Sequence, residues 1–456
     1  MAIACSLIFF LSACKKNDVA PAVSVAPPVD TVKPASIASL NQKAFNISKD
    51  YYLWNTLLPA TYNAASFADP DAVMTDIRQY SRESGFTGPV DRWSFAMKKT
   101  EWDSLSSGMA SINIASSADG DFGMEVLFHA TGDLRVKKVE PASPAGAAGI
   151  HRGWRITKIN GNTNITIENA QYIIDNVYYS TSSTITFVKP DGTVVDITLA
   201  AGHYASKPLY LDTVYTAGTS KVGYMVYNSF LGDQTKAATS YARAFSVFAS
   251  AGITDLVVDL RYNGGGFVSL QEKLANYIVN SSAGGGVMMK QIYNAAHTSD
   301  NTTSYFNKAG SVNLPKVYFI VGRSTASASE LLINNLKPYM DVRLIGPSNT
   351  HGKPVGFFPL EDGEWYVFPV SFKTINKNGE GNYYSGFKPN AQVADGVDKD
   401  WGDITETCLA SALRNISTGN YKYNAEPAYV EPANIVAGND KLDAVNLKVT
   451  IGTKKP

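Results

Sequence analysis

The chain has 456 residues, of which 45% are hydrophobic and 18% charged, the composition of a globular protein long enough for two or three domains with a sizeable core. Forty Lys and Arg balance forty Asp and Glu with no long run of either sign, which excludes the electrostatic footprint of a nucleic-acid-binding protein.

The first residues, "MAIACSLIFFLSACKK", carry an apolar run too short to span a membrane as a helix, and it ends in Leu11-Ser12-Ala13 directly before Cys14. This run resembles a bacterial lipoprotein signal, in which Cys14 becomes the lipidated N-terminus; a buried strand is the alternative. No Lys or Arg precedes it, a departure that leaves an upstream start open. The resemblance implies a cell-envelope lipoprotein, held to the membrane by lipid alone and facing the periplasm or the outer surface. With Cys5 in the signal, Cys408 remains as a lone cysteine and reads as a buried thiol in a helix. Residues 15–39, rich in Pro, Ala and Val, read as an extended tether.

From 40 to 118 the stretches "YYLWNTLLP", "DAVMTDIRQYSR" and "DRWSFAM" predict a small helical region with Trp54 and Trp93 in its core. Residues 119–203 predict strands at "FGMEVLF", "LRVKKVEP" and "ITKING", a short helix at "SPAGAAG" and an amphipathic helix at "TIENAQYIIDN". That order, and "SPAGAAGIHRGWRITKINGNTN" in particular, resembles a PDZ domain, with Trp154 standing where Asp is usual. The resemblance implies that N–H groups of the loop Asp121-Phe122-Gly123-Met124 bind a polypeptide's terminal carboxylate, with Phe122, Gly123 and Met124 as the binding residues, while a strand edge takes the tail as an added strand. A unit that merely packs is the alternative.

From 204 to 415 strands such as "KVGYMVYNSF", "ITDLVVDL", "KVYFIVG" and "DVRLIG" alternate with helices. The helix "DQTKAATSYARAFSVFASAG" is apolar at 237, 241, 245 and 248 and stops at Gly252. Such alternation predicts a multi-domain α/β protein whose core is a largely parallel sheet, with its active groups on loops leaving strand ends. Residues 416–456, with one alternating stretch, "KLDAVNLKVTI", point to no role.

Three segments of this core carry chemistry. In "GRSTASASELL", residues 322–332, Ser327 follows a strand and opens a helix. Ser327 and Glu330 spell S-x-x-E, so the local pattern reads first as a helix cap. The same position suits a nucleophile, because N–H groups at a helix N-terminus stabilise an oxyanion and small Ala326 and Ala328 leave room for a substrate carbonyl. "THGKPVG" supplies Lys353. A lysine activates a serine only when neutral, and bringing its pKa from about 10.4 to 7 requires about 4.6 kcal/mol from burial; an exposed loop lysine is the alternative. "DLRYNGGG", residues 259–266, allows positive φ and close approach, making an N–H of Gly264 or Gly265 a candidate oxyanion donor. It lacks the G-x-x-x-x-G-K-[ST] spacing of a phosphate loop.

Taken together, "DLRYNGGG", "STASASE" and "GKPV" resemble the "DLRxNxGG", "SASASE" and "GKG" elements of the C-terminal processing, or tail-specific, peptidases. That serine–lysine family has a PDZ domain ahead of an α/β catalytic core of the crotonase/ClpP-like type, and the resemblance covers roughly residues 40–415. It implies Ser327 as nucleophile and Lys353 as base. It also implies an oxyanion hole of Ala328 with Gly264 or Gly265, a polypeptide substrate, no cofactor and no metal; Ser324, Thr325 and Ser329 become supporting residues. Two departures stand out. Lys353 lies 26 positions after Ser327, one more than usual, and Phe357 replaces a glutamine that often positions the lysine.

Rival readings keep the same segments. His351 is an alternative base, with Asp259 or Glu330 as its acid, although no G-x-S-x-G elbow occurs. A binding lipoprotein with a peptidase-like core, or an esterase or amidase on the same dyad, is the alternative function. The five histidines are scattered, with no H-E-x-x-H. Oligomeric state is left open by the sequence.

Overall fold

The computed structural model describes residues 36–106, 120–422 and 429–450. Cys14, its apolar run and the tether up to residue 35 lie outside them. Two capped helices open the described chain: α1 (Ile37–Tyr51), where Ser36 Oγ accepts the Ser39 N–H, and α2 (Pro70–Ile77), where Asp69 caps and Pro70 stands in the first turn. Trp54 and Trp93 are buried with Phe45, Met74 and Ile77, as expected. The helical expectation for "DRWSFAM" is corrected: Phe95–Lys98 form a strand, β1, followed by the helix α3 (Lys99–Ser106). β1 pairs antiparallel with residues 365–368, and Phe95 stacks on Phe368 at 4.3 Å. A partner some 270 residues away overrides local helical preference.

A five-stranded antiparallel sheet follows, built from β2 (Met124–Ala130), β3 (Asp133–Val139), β4 (Arg155–Ile159), β5 (Ser182–Val188) and β6 (Val194–Ala200) in that spatial order. A short helix α4 (Pro144–Ala147) joins β3 to β4, and α5 (Ala170–Val177) joins β4 to β5. One face of α5, Ile173, Ile174 and Val177, is buried with Phe128, Val136, Ile156 and Phe187, each side chain worth about 1.5–3 kcal/mol when fully removed from water.

The core begins with β7 (Leu209–Ala217), β8 (Ser220–Tyr227), α6 (Gln234–Ala251), β9 (Asp255–Asp259) and α7 (Val268–Ile278). It continues with β10 (Val287–Tyr293), β11 (Thr302–Tyr305), β12 (Lys316–Ile320), α8 (Ala328–Leu336) and β13 (Asp341–Gly346). Four short strands follow, β14 (Val355–Gly356), β15 (Leu360–Asp362), β16 (Trp365–Phe368) and β17 (Phe372–Asn376), then β18 (Ala391–Gln392), α9 (Thr407–Thr418) and α10 (Ala433–Thr450). The main sheet runs β18-β13-β12-β9-β8-β7, parallel throughout except for the β7–β8 hairpin. Alternate residues of its strands face opposite layers: Val258, Val317 and Phe319 pack with α6, α7 and α8, while Val257, Tyr318 and Ile320 pack with Cys408, Leu409 and Ala412 of α9. α6 buries Ala237, Tyr241, Phe245 and Phe248 and ends at Gly252 with φ +65°. Two smaller sheets, β1-β16-β15 and β11-β10-β17-β14, flank the core. Residues 441–450 of the alternating stretch near the C-terminus lie in α10 as helix. Among the described residues no helix is long and apolar enough to cross a membrane.

Candidate active site

β12 and β9 are neighbouring parallel strands, so the loops leaving their C-terminal ends meet. The first is the loop into α8. Thr325 Oγ1 donates to the Leu260 carbonyl at 2.7 Å and the Ala326 N–H donates to the Asn263 carbonyl at 3.1 Å, locking this loop onto the one that follows β9. Ser329 Oγ adds a bond to the same Asn263 carbonyl at 2.9 Å. Ser327 is the N-cap of α8, with φ +55° and ψ −116°, a conformation a non-glycine residue holds at a cost of about 1–3 kcal/mol. It is part-exposed between buried Ala326 and Ala328. Glu330 supplies the reciprocal part of the capping box, its Oε2 accepting the Ser327 N–H at 3.1 Å.

The second loop is "RYNGGG". Gly265 and Gly266 have φ of +103° and +139°. A Cβ on Gly265 would lie 2.7 Å from Ser327 Cβ and 2.9 Å from Ala328 N, so the glycine is what lets this backbone lie against the serine. The expectation that Gly264 or Gly265 donates to an oxyanion is narrowed here. The Gly265 N–H is taken by Asn263 Oδ1 at 2.9 Å, whereas among the described residues the Gly264 N–H meets no acceptor. Ala328 is the first residue of α8, where an N–H has no intrahelical partner. Asn263, fully buried, is a residue that reading for chemistry passed over. Its side chain and carbonyl fasten both loops together.

Lys353 follows β13 and is 3% exposed. Glu330, wholly buried, holds it in place: Oε1 accepts Thr350 Oγ1–H and the Gly352 N–H, both at 2.6 Å, and Oε2 accepts the Lys353 N–H at 2.8 Å. One carboxylate oxygen therefore carries the N–H groups of both Ser327 and Lys353. Burial pushes the Glu330 pKa up while these four donors draw it back. Among the described residues Lys353 Nζ has no hydrogen-bond or ion-pair partner; it faces the Phe357 ring at 4.0 Å from the centroid. Burial lowers its pKa to about 7, against the fields of Asp91 and Glu330, which favour the cation, and with that of Arg78.

The rival base is not available. Trp93 Nε1–H donates to His351 Nε2 at 3.1 Å. Burial, then the charges of Arg92 and Lys353, hold His351 neutral, with its pKa lowered to about 3. Arg92 Nη2 donates to the carbonyls of His351 at 3.1 Å and Tyr384 at 3.2 Å. The N-terminal region thus clamps the lysine loop through Arg92 and Trp93, a contribution with no sequence motif to announce it.

In the Phe122–Met124 loop one expected donor is already engaged. The Gly123 N–H expected to bind a terminal carboxylate is already bound to Asp121 Oδ1 at 2.7 Å, and Tyr204 Oη–H donates to the same oxygen at 2.8 Å. Phe122 and Met124 are buried. A carboxylate of the chain itself stands where the substrate's was expected, and its presence two residues before Gly123 was legible in "DFG".

Residues 221–393, a span containing Gly264, Ser327 and Lys353, match the model of peptidase family S41. A Staphylococcus saprophyticus protein named "Probable CtpA-like serine protease" is 25% identical over 254 residues, 55% of this chain and 48% of its own length. A protein of the same name from Staphylococcus aureus strain N315 is 25% identical over 257 residues, again 55% and 48%. The chain thus spans about half the length of the curated relatives it matches. Among solved structures, a candidate S41 protease from Bacteroides fragilis is 24% identical, with a TM-score of 0.67 over 83% of this chain and 97% of that one. That likeness is one of fold, the mixed α/β architecture with several sheets.

Proposed function

We propose that the chain is a serine endopeptidase that cleaves unstructured or C-terminal segments of cell-envelope polypeptides, with Ser327 as nucleophile and Lys353 as general base. The observation that carries this reading is the shared Glu330 oxygen, which accepts the backbone N–H groups both of a strained, part-exposed serine and of a buried lysine whose pKa lies near 7. The S41 match across the same residues supports it. Neutral Lys353 Nζ leaves the Phe357 ring and takes the Ser327 Oγ proton as that oxygen attacks the peptide carbonyl carbon. The Ala328 and Gly264 N–H groups receive the oxyanion. Collapse breaks the C–N bond, and the amine departs with the proton held on lysine. The lysine, neutral again, takes a proton from water as that water attacks the acyl carbon, and passes it to Ser327 Oγ as the ester C–O bond breaks.

Substrate capture falls to the β2–β6 unit, read as PDZ-like. With the Gly123 N–H bound to Asp121, the part of the unit that suits a polypeptide is the β2 edge, by strand addition. The signal-like run before Cys14 supports a lipid-anchored envelope location.

A fluorophosphonate probe is expected to label the intact chain at Ser327 and to leave Ser327→Ala unlabelled, with hydrolysis of an unstructured, apolar-ended peptide lowered about 10³-fold or more. Equal hydrolysis by a folded Ser327→Ala chain overturns the reading.

A further inference from the structure

β2 is an edge strand, and an edge strand presents a row of unpaired N–H and C=O groups to any chain that can pair with it. Here that row is occupied from within. Asn439 of α10 donates Nδ2–H to the Phe128 carbonyl at 2.9 Å and accepts the Phe128 N–H on Oδ1 at 2.7 Å. These are the two bonds that the backbone of an added strand would make. Val126 N–H is met by Tyr178 Oη at 3.0 Å. Ile435 and Leu442, which share the Asn439 face of the helix by their spacing of four and three, are buried in the same cluster as Phe128 and α5. Gly438 lies so close to Ile167, at the turn before α5, that a Cβ would come within 2.8 Å of its side chain.

Much of the described seat of α10 is polar, and it includes a buried ion pair of Asp443 Oδ1 with Lys137 Nζ at 2.8 Å. Among its described side chains the fully apolar anchors are Ile435 and Leu442, the other buried ones are Asn439 and Asp443, and Gly438 lowers helix propensity in the middle. The same helix also reaches the loop that carries the nucleophile. Arg323 pairs with Asp440 at 3.2 Å and donates to the Val436 carbonyl at 3.4 Å, and Ser324 Oγ lies 3.5 Å from Asp443 Oδ2.

We propose that residues 433–443 are an internal ligand of the β2–α5 groove, competing with an extended polypeptide tail for the Phe128 N–H and C=O. A tail adds along β2 only when α10 leaves, and its departure breaks the Arg323 and Ser324 contacts at the loop that leads to Ser327. The inference rests on the reading of the β2–β6 unit as the capture site.

The test uses the full chain carrying Ser327→Ala, so that nothing is cleaved, and a short fluorescein-labelled unstructured peptide with an apolar, free C-terminus as probe. In one variant Ile167→Cys and Gly438→Cys form a disulfide that fixes the helix in place, with Cys408 buried out of reach; in another Asn439→Ala loosens it. Because apparent affinity scales with the fraction of open molecules, Asn439→Ala is expected to tighten peptide binding about tenfold. The oxidised pair is expected to bind at least about tenfold more weakly than the same chain reduced, its fold checked by thermal melting. Peptide is also expected to speed amide exchange across 433–443. Equal binding by the oxidised and reduced chains, or no binding by any form, overturns the proposal. Hydrolysis by the chain with Ser327 intact is read separately, so loss of the peptidase reading and loss of this one are told apart.

Discussion

Two cations are buried in this core, each on a loop leaving a parallel strand, and they have opposite fates. Arg261, 1% exposed, is held by Asp259 at 2.7 Å, by Glu406 at 2.7 Å and by Asp395 at 3.0 Å, with Trp401 against its guanidinium. Burial opposes its charge, but Asp259 and Glu406 prevail and hold its pKa above the ordinary value. Lys353 is as deeply buried and meets carboxylates only at a distance, so burial prevails and its pKa falls to about 7. A charge that is fully paired fixes the fold; one left unpaired is poised to give up a proton. The contrast gives predictions that differ in kind.

The largest concerns the unpaired cation. Lys353→Met is expected to lower peptide hydrolysis about 10³-fold or more by removing the base, while stability rises. In the unfolded chain the lysine keeps its proton up to about pH 10.4, and in the folded chain it loses it near 7. Folding is therefore penalised in full below pH 7, and the penalty fades as pH rises towards 10. Methionine removes it, so denaturant melts at pH 7 should show a gain of about 1–4 kcal/mol that shrinks at pH 10. Lost stability at pH 7 would mean that Lys353 has a structural partner.

The paired cation predicts the reverse. Arg261→Met leaves Asp259 and Glu406 charged, buried and without their counter-ion, a loss of about 3–5 kcal/mol of folding stability. Hydrolysis should fall only in proportion to the unfolded fraction. A melt unchanged from the parent chain would show that the arginine network is dispensable to the fold.

Much of the core was legible in the sequence because its signals are local. Alternating strand and helix patterns, the apolar positions 237, 241, 245 and 248, and Gly252 as a stop all describe elements that the structure contains. What escaped depends on partners distant along the chain. β1 exists because residues 365–368 lie beside it. Arg92 and Trp93 matter because they grip a loop some 260 residues further on. Asn263 and Glu330 stood inside quoted motifs, yet their work, tying three loops together, is visible only as hydrogen bonds. The stretch "KLDAVNLKVTI" alternates over a short window, but residues up to 450 continue a helix whose earlier part, with Ile435, Asn439 and Leu442, carries the helical spacing that packs on β2 and α5.

The smallest effect sharpens the comparison most, because it changes the neighbours of the unpaired cation and not the cation itself. Hydrolysis should rise with pH through a midpoint near 7 as Lys353 loses its proton. Asp91, 4% exposed and bonded to Tyr52 and to Ser94, is the carboxylate that most favours the lysine's charge. Asp91→Asn keeps the shape and removes the field, so the neutral lysine is favoured. The acid limb of kcat/KM should move down by about one pH unit, equivalent to about 1.4 kcal/mol. The shift must appear in the midpoint, because a variant that merely loosened the loop would lower the plateau and leave the midpoint in place. An unmoved midpoint would separate Lys353 from the titration that governs the rate.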